Sequence, residues 1–245
     1  MQWTDEAIVL GGRRFGESGL ILDVLTSERG RRSGLVYGGA SRKKRGQFEV
    51  GNSVNVSWSG RLEDQLGRFN VAECTRARAA SLLDSQSALL AITTIASLLR
   101  ASVDEGDEGG SAVYAPTHLL LETIGDANFW PALYAKWELG LLSALGFGLD
   151  LDRCALSGAN DGLTHVSPKT GRAVRGSEAE DYVDRLLSLP AFLLDATAPA
   201  SPADINAALA LTGHFLERRL FAAVNKPVPE PRERLVAHLR HPVER

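Results

Sequence analysis

The chain has 245 residues, 44% of them hydrophobic and 23% charged, which is the composition of an ordinary globular protein with enough length for one large domain or two small ones. It has no apolar run of about 18 residues, and Met1-Gln2-Trp3-Thr4-Asp5-Glu6 lacks the basic-then-apolar order of a secretory signal, so no membrane partner and a cytoplasmic location are expected. The net charge of −3 argues against a general polyanion binder, but residues 1–80 hold 13 Lys+Arg against 9 Asp+Glu (+4), leaving 14 against 21 (−7) for the remainder.

The first 75 residues read as strands. Ala7-Ile8-Val9-Leu10, Leu20–Leu25 and Leu35-Val36-Tyr37 are short apolar runs bounded by Gly11-Gly12, Gly30 and Gly38-Gly39. Val54, Val56 and Trp58 alternate with Asn55 and Ser57, and Phe69, Val71 and Cys74 supply a fifth strand. Five short strands with glycine turns predict a small closed barrel of the OB type over 1–79. A β-sandwich needs more strands.

From Ala80 the period lengthens to that of a helix, and an all-helical domain is predicted over 80–245, making the fold class α+β. Ser81–Ala101 carries a rich apolar face, and further helices are expected at about 112–125, 131–145, 178–189 and 203–224. Ser177…Glu180 has capping-box spacing, and Ser201-Pro202-Ala203-Asp204 offers a cap, a first-turn proline and an early acid. Asp104–Gly110, acidic and glycine-rich, reads as a solvated linker. Cys154–Arg175 reads as a looped insert with a short hairpin around Leu163–Val174, and Lys226–Arg245 as a polar, proline-rich tail.

No enzyme motif stands out. Gly11-Gly12-Arg13-Arg14-Phe15-Gly16 follows a strand but precedes another strand, so it offers no helix N-terminus to a pyrophosphate. The histidines are scattered, and His118…Glu122 and His214…Glu217 read as pairs on solvated helix faces. Two cysteines, even with His165, fall short of a structural zinc site, so neither metal nor other cofactor is predicted. A metal-dependent nuclease would have to draw on Asp104 and Asp107, and an OB-fold RNA binder or translation accessory protein is the rival binding class.

The basic residues carry more weight. Between Gly11 and Arg45 stand Arg13, Arg14, Arg29, Arg31, Arg32, Arg42, Lys43, Lys44 and Arg45 against Glu17, Asp23 and Glu28. The run Arg42-Lys43-Lys44-Arg45 follows Gly38-Gly39 directly after a strand, where a barrel loop can present it to phosphates. Tyr37, Phe48, Trp58 and Phe69 lie on neighbouring segments. A basic groove beside stackable aromatics is how OB-folds hold single strands, although Trp58 and Phe69 serve equally well as barrel core, the expectation favoured for these aromatics.

Taken in order, Ala7-Ile8-Val9-Leu10, Arg14-Phe15-Gly16-Glu17-Ser18, Leu25-Thr26-Ser27-Glu28-Arg29-Gly30, Gly38-Gly39-Ala40-Ser41-Arg42-Lys43 and Ala72-Glu73 resemble the N-terminal pattern of the RecO family of recombination mediators. The likeness continues more loosely through Trp137–Leu142, Leu145-Gly146-Phe147 and Leu151–Cys154, and weakens after about residue 190. The resemblance implies no enzyme activity, binding of single- and double-stranded DNA, annealing of complementary strands, and partnership with RecR to help RecA displace single-strand-binding protein, whose acidic C-terminal tail is also docked. It implies DNA contacts at Arg42, Lys43, Lys44 and Arg45, joined by Arg13, Arg14, Arg29 and Arg31. An apolar groove with a basic rim in the helical part, with Arg218, Arg219, Arg232 and Arg234 as rim candidates, would seat the tail. Many relatives carry a four-cysteine zinc element after the Leu-Gly-Phe helix. Here Ser157 takes the second ligand position and no cysteine pair follows Val174, so a metal-free remnant is expected at 154–175.

Overall fold

Alternating apolar residues in the first 76 positions close into a barrel. In the computed structural model, which describes residues 1–61 and 66–240, β1 (Gln2–Phe15), β2 (Gly19–Thr26), β3 (Gly30–Val36), β4 (Ser53–Ser59) and β5 (Gly67–Arg76) follow the order β1-β2-β3-β5-β4. β1 spans 14 residues and pairs antiparallel with both β4 and β2; a bulge between Val9 and Gly11 bends it between the two partners. A short parallel pairing, Gly34↔Gly67 and Leu35↔Arg68, completes the closure.

Inward-facing Ala7, Val9, Leu22, Val24, Val36, Val54 and Val56 fill the barrel with Trp3, Phe48, Trp58 and Phe69. Trp3 and Trp58 stack at 5.4 Å, and the Trp58 indole N–H donates to the Ser33 carbonyl at 3.2 Å. These large rings require glycine opposite them. A Cβ on Gly67 would stand 2.2 Å from Trp58, and one on Gly34 2.8 Å from Phe69. Phe48, Trp58 and Phe69 are therefore core, whereas Tyr37 is 68% exposed.

One compact unit comprises Met1–Gly125 with Pro229–Leu235, so it takes in the barrel, α1 (Arg78–Ser81), α2 (Gln86–Ser102), α3 (Tyr114–Thr123) and the beginning of a C-terminal helix. The Ser85 hydroxyl caps α2 by accepting from the Ala88 N–H, and Ala88, Ala91, Ile92, Ile95, Leu98 and Leu99 form its buried stripe. Ile92 presses against Gly51 so closely that a Cβ there would lie 2.5 Å from its Cγ2.

The segment read as a solvated linker is docked on the barrel. Glu105 accepts from the Ser33 N–H at 2.6 Å, the Gly106 N–H donates to the Arg31 carbonyl at 3.1 Å, and a 3-10 turn runs from Glu108 to Val113. Gly30 lacks a side chain because a Cβ would fall 2.2 Å from the Asp107 carbonyl oxygen. Polarity and glycine content suggest solvation only while the backbone groups of a neighbouring strand are out of view.

The second unit comprises Asp126–Val228 and the chain from Val236 on. It holds α4 (Trp130–Ala144), β6 (Leu163–Val166), β7 (Ala173–Arg175), α5 (Gly176–Ala179), β8 (Leu187–Ser188) and α6 (Pro202–Phe215), which continues as a π turn over Leu216–Phe221. Pro131 sits in the first turn of α4, and Ser201 and Asp204 form a complete capping box on α6 with Pro202 at its first position. Between the two helices the buried Glu138 carboxylate accepts from the Tyr134 and Thr212 hydroxyls, each at 2.6 Å. The predicted hairpin is present as β6–β7, with β8 added on the other edge of β6.

Two further expectations fail locally. The helix expected at 178–189 is a four-residue α5, a 3-10 turn over Glu180–Arg185 and β8; Arg175, not Ser177, stands at the cap, and no side chain caps it. The tail beyond Lys226 contains a helix, α7 (Glu230–Arg240), which belongs to the first unit as far as Leu235. Asn225, with φ 52°, ends the preceding helical segment; Glu230 and Glu233 in the first turn and His238 and Arg240 in the last suit the α7 dipole, and Leu235 and Val236 bury its apolar side. Among the described residues no helix is long and apolar enough to cross a membrane.

Candidate nucleic-acid interface

The run Arg42-Lys43-Lys44-Arg45 is an exposed turn fastened at both ends. Gly38, at φ 67°, turns the chain out of β3, and Gly39 packs against Leu20 and Val36 where a Cβ would come within 2.9 Å. The Ala40 N–H then donates to the Ser18 carbonyl at 3.0 Å, tying the loop to the β1–β2 turn. On the far side the 3-10 turn Arg45–Phe48 ends with Phe48 inserted in the barrel core. The buried Asn52 amide donates to the Gly46 and Gln47 carbonyls at 3.2 Å each and accepts from the Ala79 N–H at 3.2 Å. Four cations thus stand in solvent on a held backbone.

Arg13 and Arg14 are exposed near the end of β1, opposite Ile21 and Leu20, close in register to the β1–β2 turn that holds the basic loop. Arg29 lies at the other end of the β2–β3 hairpin. A strand of seven residues separates it from the 37–45 loop, about 20 Å, and its guanidinium sits 5.4 Å over the Trp3 ring. Arg31 is occupied. It makes two bonds of 2.9 Å to the Asp23 carboxylate and donates to the carbonyls of Arg100 and Val103 at 2.9 and 3.0 Å, while Arg100 meets the same carboxylate at 2.9 Å. Burial alone would lower the Arg31 pKa, but the hydrogen bond and charge of Asp23, with Glu105 and Asp104, raise it on balance. Arg32 is buried. Of the basic residues singled out from sequence, Arg13, Arg14 and the 42–45 run are exposed near the β1–β2 turn, Arg29 lies at the other end of the β2–β3 hairpin, and Arg31 is bonded to Asp23 and the end of α2.

The other candidate residues have structural surroundings. Glu122 is not part of a solvated pair with His118: it bonds Arg78, whose side chain is only 3% exposed, and meets Arg76 at 2.8 Å, with His118 at 3.7 Å. His214 stands 3.2 Å from the Pro168 carbonyl and so fastens the insert to α6. Among the described residues, no three His, Cys, Asp or Glu side chains converge as a metal site.

An apolar groove does exist in the second unit, about 460 Å³ in volume and lined by Leu139, Leu149, Leu151, Leu193 and Leu194, with Lys136 and Asp152 as its charged lining. Lys136 Nζ stands 5.8 Å from the Phe192 ring centroid. The arginines named as its rim do not line it. Arg219 lies over Phe215 at 4.7 Å, Arg218 is exposed, Arg234 faces Glu230 at 3.6 Å, and Arg232 is buried in the first unit. Lys136 was missed because a single lysine in an apolar helix carries no charge-cluster signal.

Family models place the chain clearly. Residues 1–78 match the N-terminal and residues 84–227 the C-terminal model of recombination protein O. The chain belongs to the RecO family. It is 65% identical over 242 residues to the DNA repair protein RecO of Hyphomonas neptunium, covering 99% of this chain and all of that protein. It is 45% identical to that of Paracoccus denitrificans (98% and 96% covered) and 43% to that of Rhodospirillum centenum (98% and 95%). The barrel followed by helices, the resemblance drawn from the ordered motifs, and a role in DNA repair and recombination therefore stand.

The zinc element of many RecO relatives does not fit the residues here. Cys154 Sγ accepts from the N–H groups of Leu156 at 3.5 Å and Arg175 at 3.3 Å, and its thiol faces Glu178 Oε2 at 3.3 Å. Burial pushes the thiol pKa up, but hydrogen bonds from Ser157, Arg175 and Leu156 bring it below the ordinary value. One sulfur and one carboxylate hold this corner by hydrogen bonding within the protein, with no set of four ligands around it among the described residues.

Proposed function

We propose that this RecO-family chain acts without catalysis, binding single- and double-stranded DNA through its barrel, annealing complementary strands and, with RecR, assisting RecA on DNA coated with single-strand-binding protein. The observation that carries the reading is the exposed turn Arg42–Arg45, anchored to the β1–β2 turn near Arg13 and Arg14, in a chain of net charge −3. Cations fixed on a rigid loop neutralise phosphates on two strands and reduce their mutual repulsion during pairing, while base pairing supplies the sequence match. Arg29 contributes at a separate point of the barrel. Arg31, committed to Asp23, ties the barrel to the C-terminal end of α2 instead of contacting DNA.

The groove beside Lys136 is the better seat for the acidic C-terminal tail of single-strand-binding protein than the four arginines. It offers an apolar floor for side chains and an ammonium for a carboxylate, whereas Arg232 is buried and Arg219 is stacked.

Strand annealing, measured with naked and with protein-coated complementary oligonucleotides, tests both parts. The unmodified protein is expected to anneal both; replacing Arg42–Arg45 with alanine slows both reactions, and Lys136→Glu slows only the coated one. Failure of the unmodified protein to anneal naked strands contradicts the proposal, and an unimpaired Lys136→Glu variant on coated strands removes the groove from it.

A further inference from the structure

Beside the basic turn, the outer face of the barrel carries two uncovered aromatic rings. Tyr37 follows Val36, the last residue of β3, and opens the turn closed by the Gly39 N–H donating to the Val36 carbonyl at 3.2 Å; it is 68% exposed. Phe15, at the end of β1, is 52% exposed. The β1–β2 register pairs Phe15 with Gly19, and the β2–β3 ladder ends at Leu20↔Val36, one residue short of Gly19 on β2 and of Tyr37 after β3. Phe15, Gly19 and Tyr37 therefore lie at the same end of the three strands. A Cβ on Gly19 would stand 2.5 Å from the Phe15 carbonyl oxygen and 3.3 Å from Leu35 Cδ1, so this position beside Phe15 stays without a side chain.

Charge and shape around the rings match a particular ligand. Arg13 lies two residues before Phe15 on the same face of β1. A cleft of about 440 Å³ adjoins Tyr37, lined by Leu35, Leu66, Gly67 and Arg68, and Arg68 is oriented by a 3.2 Å bond to the Ser59 hydroxyl. The Ala40–Ser18 hydrogen bond fastens the 42–45 loop to the turn that joins Phe15 to Gly19. Flat rings left in water at one end of the sheet and bordered by arginines suit a polymer with flat faces and a negative backbone. A duplex has the charge but keeps its base faces stacked on one another.

We propose that Tyr37 and Phe15 form a stacking platform for the unpaired bases of single-stranded DNA, while Arg13, Arg68 and the 42–45 turn hold the backbone. This rests on the reading that the barrel binds DNA, and it adds the selectivity for single strands that charge alone lacks. An annealing protein gains from the division of labour. Bases held on an open face are released to a complementary strand once pairing competes with stacking, and the grip on the backbone persists in the product.

The test is equilibrium binding of the full chain to a fluorescently labelled single-stranded oligonucleotide and to the blunt duplex of the same sequence, over a range of salt. Tyr37→Ala is expected to weaken single-strand binding by about 5- to 150-fold, the range for loss of one stacked base, with Phe15→Ala acting in the same direction. Duplex affinity and the salt slope stay as in the unmodified protein, and Tyr37→Phe behaves as the unmodified protein because the ring, not the hydroxyl, is used. Tyr37 is exposed, so circular dichroism of the alanine variant should be unchanged. Salt-dependent DNA binding with no change in single-strand affinity for Tyr37→Ala would overturn the platform and leave the backbone reading intact. Absence of salt-dependent binding by the unmodified protein would overturn the parent reading and the platform together.

Discussion

The Arg78 guanidinium is almost wholly buried, and its charge is met by Glu122 from α3, with further bonds to the Gly51 carbonyl at 3.1 Å and the Ser53 hydroxyl at 2.7 Å. Burial raises the Glu122 pKa, but the hydrogen bond and charge of Arg78, aided by Arg76 and His118, outweigh it, so the net value lies below the ordinary range. A carboxylate with a folded pKa below its unfolded one contributes stability that is fully present above the unfolded pKa and is lost as pH falls through the folded one. Glu122→Gln is therefore expected to destabilise the fold at pH 7 by about 1–3 kcal/mol, the cost of leaving a buried donor poorly met. The gap to the unmodified protein should narrow in acid, as the pH falls through the lowered Glu122 pKa and that carboxylate itself protonates. Urea melts at neutral and at acid pH check this, and equal stability at neutral pH would contradict it. The same residue scale explains why the partners of Arg31 were not visible from sequence. As a letter it is one more cation in a basic stretch; its role is set by Asp23 across the hairpin and by carbonyls at positions 100 and 103, partners that periodicity cannot bring together.

At the scale of elements, local chemistry was readable wherever one segment dictates its own state. The alternation of Val54, Val56 and Trp58, the stripe of α2 and the Ser201–Asp204 box all appear as the side-chain pattern requires. Ser201→Ala removes the hydroxyl that accepts from the Asp204 N–H and is expected to cost about 0.5–2 kcal/mol in a thermal or denaturant melt. No measurable change would mean that the α6 terminus is held by packing alone. Elements whose state depends on a distant partner were not readable. Glu105 docks through the Ser33 N–H of β3, 72 residues away, and α7 lies in a polar sequence whose buried Leu235 and Val236 are too few to stand out. Tyr37 belongs with these. The strand leading to it was evident, but β3 ends at Val36 and Tyr37 opens the turn, with its ring in solvent.

For the whole molecule, charge is segregated along the chain: a positive barrel region within an acidic protein, with its densest run of cations fixed by Phe48, Asn52 and Ala40. The ordered motifs of the first 75 residues were sufficient to indicate the RecO family, because barrel closure places strict demands on strands, glycines and turns in a fixed order. The groove proposed for an acidic tail was not legible, since five leucines and one lysine converge from segments between 136 and 196. The central claim is that the anchored turn at 42–45 binds the DNA backbone, and its most direct test is the slope of log K against log salt for single-stranded DNA. Replacing Arg42, Lys43, Lys44 and Arg45 together with alanine is predicted to flatten that slope by up to about 0.7 for each phosphate that is no longer neutralised. An unchanged slope in that variant would contradict the account.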